Sequence, residues 1–174
     1  IGSKGHAGLI PSELLDNLSI NRIEVDMIQF RGAQFARVDN RLLALQLVER
    51  GLTNAAMFTP KGELVQPADA LRKKSILVER GSFRPVTRVT ADMLLRAKAQ
   101  MVQDPKVAGQ ELLVLVEMTL KNLNVEGKID HQDFLDRVDL LGTLGHPVLI
   151  SNYGEFFPLA GYLFRYTKLP IGIV

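Results

Sequence analysis

The sequence predicts an α/β fold: a three-layer, Rossmann-like domain with a mostly parallel sheet of about five or six strands. Two observations carry this. Several short runs are apolar throughout, above all Leu112-Leu113-Val114-Leu115-Val116 within Glu111 to Met118, as expected of strands buried on both faces. Segments with helix-start and helix-stop residues lie between these runs, which is the pattern of βαβ units.

The elements follow in order. Residues 1–11 are Gly-rich and read as a loop leading into the domain, and Ser12 precedes a short apolar helix through Leu15 and Leu18. From Arg22 to Phe30, Ile23, Val25 and Met27 alternate with Glu24 and Asp26, which predicts a strand with one wet face. Asp39 is a candidate N-cap for a helix running to Arg50, with Gly51 as its left-handed terminator. Ala55-Ala56-Met57-Phe58 is a short strand. Pro67 to Lys74 is a helix with proline at its first position, where no hydrogen bond is lost. Ser75 to Glu79 is a strand, and Thr90 caps a helix from Ala91 to about Met101. After the central apolar run, Asp130 opens a helix that ends at Gly145. Pro147 to Ser151 is a strand, Phe156 to Lys168 a helix, and Leu169 to Val174 the last strand. The whole reads as one domain over 1–174. Because the chain starts without Met and stops within an apolar strand, it is expected to be a fragment of a longer one.

Composition removes whole classes of chemistry. Cysteine is absent, so there is no disulfide framework, thiolate metal site or cysteine nucleophile. No apolar run reaches the roughly 18 residues of a membrane span, and the first residues lack a signal pattern. A cytoplasmic protein with no membrane partner is expected. The net charge is only +2, yet the window from Asp69 to Lys98 carries eight basic and three acidic residues, a local +5. That suits an anionic ligand. Nucleic acid is a poor candidate, because Trp is absent and Phe83 is the one aromatic in the window.

The candidate site is the segment Glu79-Arg80-Gly81-Ser82-Phe83-Arg84-Pro85-Val86-Thr87-Arg88-Val89-Thr90, between a strand and a helix N-terminus. Backbone N–H groups and the helix dipole bind anions at such places. The expected phosphate- or nucleotide-binding residues are Arg80, Gly81, Ser82, Phe83, Arg84, Thr87, Arg88 and Thr90. Ser151, Asn152 and Tyr153, with Glu155, follow another strand and form a candidate crevice beside them. No catalytic residue is assigned. The histidines His6, His131 and His146 lack metal spacing and read as surface or capping residues, and Asp130, Asp133, Asp136 and Asp139 read as a solvated helix face.

Gly81-Ser82-Phe83-Arg84-Pro85-Val86-Thr87, ahead of a helix opening near Met93-Leu94, resembles the first signature of the nicotinate/nicotinamide mononucleotide adenylyltransferases. The resemblance covers about 15 residues and implies a bound nucleotide, accompanied by Mg²⁺. It implies that Gly81, Ser82 and Phe83 lie at the phosphates, and that Thr87 and Thr90 match the two positions of the His-containing element. Thr90 stands where that family has its catalytic histidine. Residues 51–87 are also similar to part of a group of bacterial proteins without an assigned activity. A second resemblance is to haloacid-dehalogenase-type phosphatases. Ala56 to Val65 is similar to their first motif, with Thr59 and Lys61 in place of its two aspartates, and Leu144 to Asn152 to their second, with Ser151 as the phosphate-binding hydroxyl. The leading expectation is therefore a nucleotide- or phosphate-binding domain, nucleotidyltransferase-like if active. The alternative is a non-catalytic interaction or assembly domain on a phosphatase-like scaffold. In that case the apolar face of Leu42 to Val48 would meet a second copy or the rest of a parent chain.

Overall fold

The computed structural model describes residues 24–174. A six-stranded sheet is covered by helices on both faces. Its strands are β1 (Ala55–Phe58), β2 (Leu64–Val65), β3 (Ser75–Arg80), β4 (Leu112–Thr119), β7 (Val148–Ser151) and β8 (Ile171–Ile173), in the order β2-β1-β7-β4-β3-β8. A separate two-stranded ribbon pairs β5 (Asn124–Val125) with β6 (Lys128–Ile129). The helices are α1 (Asn40–Glu49), α2 (Pro67–Leu71), α3 (Arg88–Met101), α4 (Leu120–Leu123), α5 (His131–Thr143) and α6 (Phe156–Leu163).

The sheet is mixed rather than mostly parallel. β7, β4, β3 and β8 run parallel, while β1 is antiparallel to both β2 and β7. An apolar run such as Ala55–Phe58 reports burial on both faces, and every residue of β1 is indeed buried, but burial carries no direction.

One face packs α1 and α5 on Phe58, Val116, Met118 and Ile150, with Phe134 and Leu141 at the centre. The other packs α6 and α2 on Met57, Ile76, Leu115 and Leu149. α5 comes so close that a Cβ at Gly142 would stand 2.2 Å from the Pro60 carbonyl oxygen. The apolar face of α1 is used here, with Leu43, Ala44, Leu45, Leu47 and Val48 all buried, so it is not free for a second copy.

Several boundaries shift for local reasons. Thr87, not Thr90, caps α3: its hydroxyl accepts the Thr90 N–H at 3.2 Å, and the helix begins three residues earlier than expected. α2 ends at Leu71 because Arg72 turns extended and Lys73 adopts φ 57°. α6 ends at Leu163. The strand expected over Arg22 to Phe30 is absent from its described part, residues 24–30. Both edges of β1 are already paired, and among the described residues this segment makes one backbone–backbone bond, Val25 N–H to Leu52 O. It packs Val25 and Ile28 on α1 instead. The expected helix after Ser12, the loop over 1–11 and His6 lie outside the described residues. Among the described residues no helix is long and apolar enough to cross a membrane.

Candidate functional site

β3, β4 and β7 are joined in sequence by α3 and α5, both on one face. The chain then crosses under the sheet through α6 to place β8 on the far side of β3. The strand order thus reverses at β3, between β4 and β8. In open parallel sheets the crevice beyond the carboxyl ends at such a reversal is where ligands bind. The turn 81–87 leaves β3 at that end.

The turn is built from below. Gly81 N–H donates to Glu117 O at 3.1 Å. Phe83 takes φ 50° and turns its ring into the core, over Gly81, where a Cβ would stand 3.2 Å from the ring. The Arg84–Pro85 bond is cis. Arg137 of α5 is buried and donates through Nη1 to Ser82 O (2.8 Å) and Asn122 O (3.2 Å), while Nη2 pairs with Asp133. Above the turn lies a cleft of about 400 Å³, bounded by Arg80, Ser82, Arg84, Thr87, Thr90 and Met93 among others.

The eight expected phosphate-site residues divide. Ser82, Arg84, Thr87 and Arg88 are exposed, and the first three border the cleft. Arg84 is held loosely, with Nε 3.6 Å from Asp133. Thr87 and Thr90 are joined by a 3.0 Å hydroxyl bond. Phe83 supplies its ring to the core and only its backbone to the turn. Arg80 is committed elsewhere: Nε and Nη2 grip the Glu117 carboxylate at 2.6 and 3.0 Å, and Nη2 and Nη1 reach the Tyr153 and Gly154 carbonyls. Four of the five guanidinium N–H groups are thereby spent on protein. Ser151 donates to the same buried Glu117, and its hydroxyl accepts from Tyr153 N–H. Ser151, Asn152 and Tyr153 therefore stand at the same end of the sheet as the turn, joined to it through Arg80, but they do not line its cleft.

No family model, curated protein or solved structure matches this chain.

A second, more enclosed pocket of about 270 Å³ lies under α3, between it, the end of α5 and the sheet. Its walls are mainly Leu94, Leu95, Val114, Val116, Leu141 and Leu144, with Glu79, Thr90, Lys98 and His146 as the polar groups. Glu79 also borders the cleft. It is 4% exposed, and among the described residues nothing donates to or pairs with its carboxylate. Burial alone pushes its pKa up to about 6. His146 is half-buried here rather than a surface cap, and burial, then the nearby Lys98 charge, lowers its pKa. The signal for Glu79 was present in the sequence as a carboxylate ending an apolar strand, Ser75-Ile76-Leu77-Val78-Glu79.

Other motifs resolve into structure. Thr59–Lys61 is the turn of the β1–β2 hairpin, where Thr59 Oγ1 accepts from Lys61 and Glu63 N–H. Phe58 pairs with Val148 and Ala55 with Ser151, so this turn and Ser151-Asn152 lie at opposite ends of the sheet and cannot share one site. The aspartates of α5 are separately engaged. Asp130 caps the helix, Asp133 pairs with Arg137, Asp136 accepts from Gln132, and Asp139 pairs with Arg41. Among the described residues no three His, Asp or Glu side chains are grouped to hold a metal.

Proposed function

We propose that this domain binds a phosphate-bearing small molecule, a nucleotide first among the candidates, at the turn 81–87 and the N-terminus of α3. The observation that carries the reading is the reversal of strand order at β3, which puts this turn where doubly wound sheets take their ligands. The first N–H groups of a helix lack intrahelical acceptors. Thr87 satisfies that of Thr90, which leaves those of Arg88 and Val89 for an anion. The Ser82 hydroxyl and the Arg84 and Arg88 guanidinium groups add donors and charge. Arg80 and Arg137 act as positioning residues, one fixing the end of β3 and the other the turn. With no carboxylate cluster among the described residues, Mg²⁺ would enter on the phosphates of the nucleotide.

The reading is of binding. Thr90 cannot carry the positive charge that a histidine brings to phosphoryl or nucleotidyl transfer. Absence of pyrophosphate release from ATP with either mononucleotide would count against adenylyl transfer and leave the binding claim standing.

The test is calorimetric titration with ATP, nicotinamide mononucleotide and inorganic phosphate, without and then with Mg²⁺. Saturable binding is expected, weakened by about 1–3 kcal/mol in Arg84→Ala, the range for a charge-assisted hydrogen bond. Failure of all three to bind would sink the reading. An unchanged affinity in the variant would remove Arg84 from it.

A further inference from the structure

The geometry under α3 points to a second site: we infer that this pocket takes a small, mostly apolar molecule bearing one protonated nitrogen, an alkyl or arylalkyl amine, with the Glu79 carboxylate as its counter-ion. The inference does not rest on the phosphate reading: its walls come from the underside of α3, although its anchor, Glu79, borders both spaces.

Three observations carry it. The pocket is partly open and largely aliphatic, and its volume of about 270 Å³ lies just below the range of drug-sized sites, so the occupant is small. Glu79 is 4% exposed and unpartnered, yet it lines this space. Its carboxylate oxygens keep a little contact with solvent, yet ionising a carboxylate this deeply set with no protein donor is costly, which favours a donor entering the pocket, most effectively a charged one. Lastly, no cation among the described residues supplies it. Lys98 on α3, His146 before β7 and Arg84 on the turn are the titratable and charged groups facing this region, and none forms an ion pair with Glu79. Arg80 is held by Glu117. His146, held toward its neutral form, does not compete with a cationic ligand.

The pH dependence follows from Glu79. An amine keeps its proton from pH 5 to 7.5, while Glu79 gains its own as the pH falls through about 6. Affinity is then lost toward low pH, by about tenfold at pH 5, where about a tenth of Glu79 is ionised. A carboxylate ligand would behave in the opposite way.

The experiment is titration of the 174-residue chain with benzylamine, benzyl alcohol and benzoate, followed by NMR at pH 7.5 and pH 5. Benzylamine is expected to saturate at least tenfold more tightly than benzyl alcohol. The preference should disappear in Glu79→Gln and shrink about tenfold at pH 5. Ala91→Phe, which fills the pocket from an exposed position on α3, should abolish amine binding and leave the binding of inorganic phosphate unchanged. Equal affinity for the alcohol and the amine, tightest binding of benzoate, an amine preference that survives Glu79→Gln, or no binding by any probe would each overturn the inference.

Discussion

Glu79→Gln separates the charge of this side chain from its shape, and stability against pH then reads out its burial. In the folded protein the carboxyl titrates at about 6 rather than 4.5. That difference of about 1.5 units corresponds to about 2 kcal/mol, at 1.36 kcal/mol per unit. The sign follows from proton binding. Between the two values the folded state holds the proton that the unfolded state has released, so stability falls as the pH rises through this window. Above about 6 the ionised, unpartnered carboxylate destabilises the fold by the full amount. Below about 4.5 both states are protonated and the penalty is gone. Other groups titrate over the same range, but they do so equally in wild type and variant, so the difference between the two proteins isolates Glu79. Urea denaturation of both at intervals from pH 4 to 7.5 should show Glu79→Gln gaining about 2 kcal/mol relative to wild type, most of it between pH 4.5 and 6. For a chain of this size that is roughly 4–8 °C in Tm at the upper end. Stability curves that stay parallel across the range would mean that Glu79 titrates normally. It would then be hydrated or paired, and the anchor of the pocket under α3 would be lost with it.

Four further variants test the frame of the fold, two at the turn and two elsewhere. Glu117→Gln removes the charge and one of the two acceptor oxygens opposite the Arg80 guanidinium, so an amide NH2 faces either Arg80 or Ser151, and should cost about 3–5 kcal/mol by chemical denaturation. The double variant with Arg80→Leu should cost less than the sum of the two singles, because the charges act as one unit. Gly142→Ala drives a methyl into the Pro60 carbonyl and should destabilise by about 3 kcal/mol or more. Gly161→Ala, with open space around it on α6, should stabilise by about 0.5–1 kcal/mol.

Periodicity and end signals located most elements because each rests on a local cause. Asp39 and Asp130 accept the N–H groups of the turns they open, and Gly51 and Gly145 adopt the positive φ that stops the helices before them. What stayed hidden depended on partners distant in sequence. The direction of β1 is set by pairing with β7, more than 90 residues on. Thr87 and Thr90 are both cap residues by type, and only the turn geometry chooses between them. Arg80 belonged to a basic window in the sequence, but the register of β3 on β4 sets it opposite Glu117, and the pair neutralises itself. A trace of this was legible. Two otherwise apolar strands each carry charge near the carboxyl end, Glu79-Arg80 in one and Glu117 in the other, at the end where parallel sheets place their ligands.

Glu79 also joins the two proposed sites, since it lines both the cleft above the turn and the pocket below α3. An ionised carboxylate repels a phosphate in the cleft. An amine seated in the pocket cancels that charge, so the phosphate should then bind more tightly, and linkage requires phosphate to tighten the amine by the same factor. Coupling between exchangeable ligands commonly lies at about 1–3 kcal/mol, or roughly 5- to 150-fold. Phosphate titrations with and without saturating benzylamine should fall within that range for the wild type and collapse to no coupling in Glu79→Gln. If both ligands bind and neither alters the affinity of the other, Glu79 does not sense both spaces, and the two sites are separated by more than one side chain.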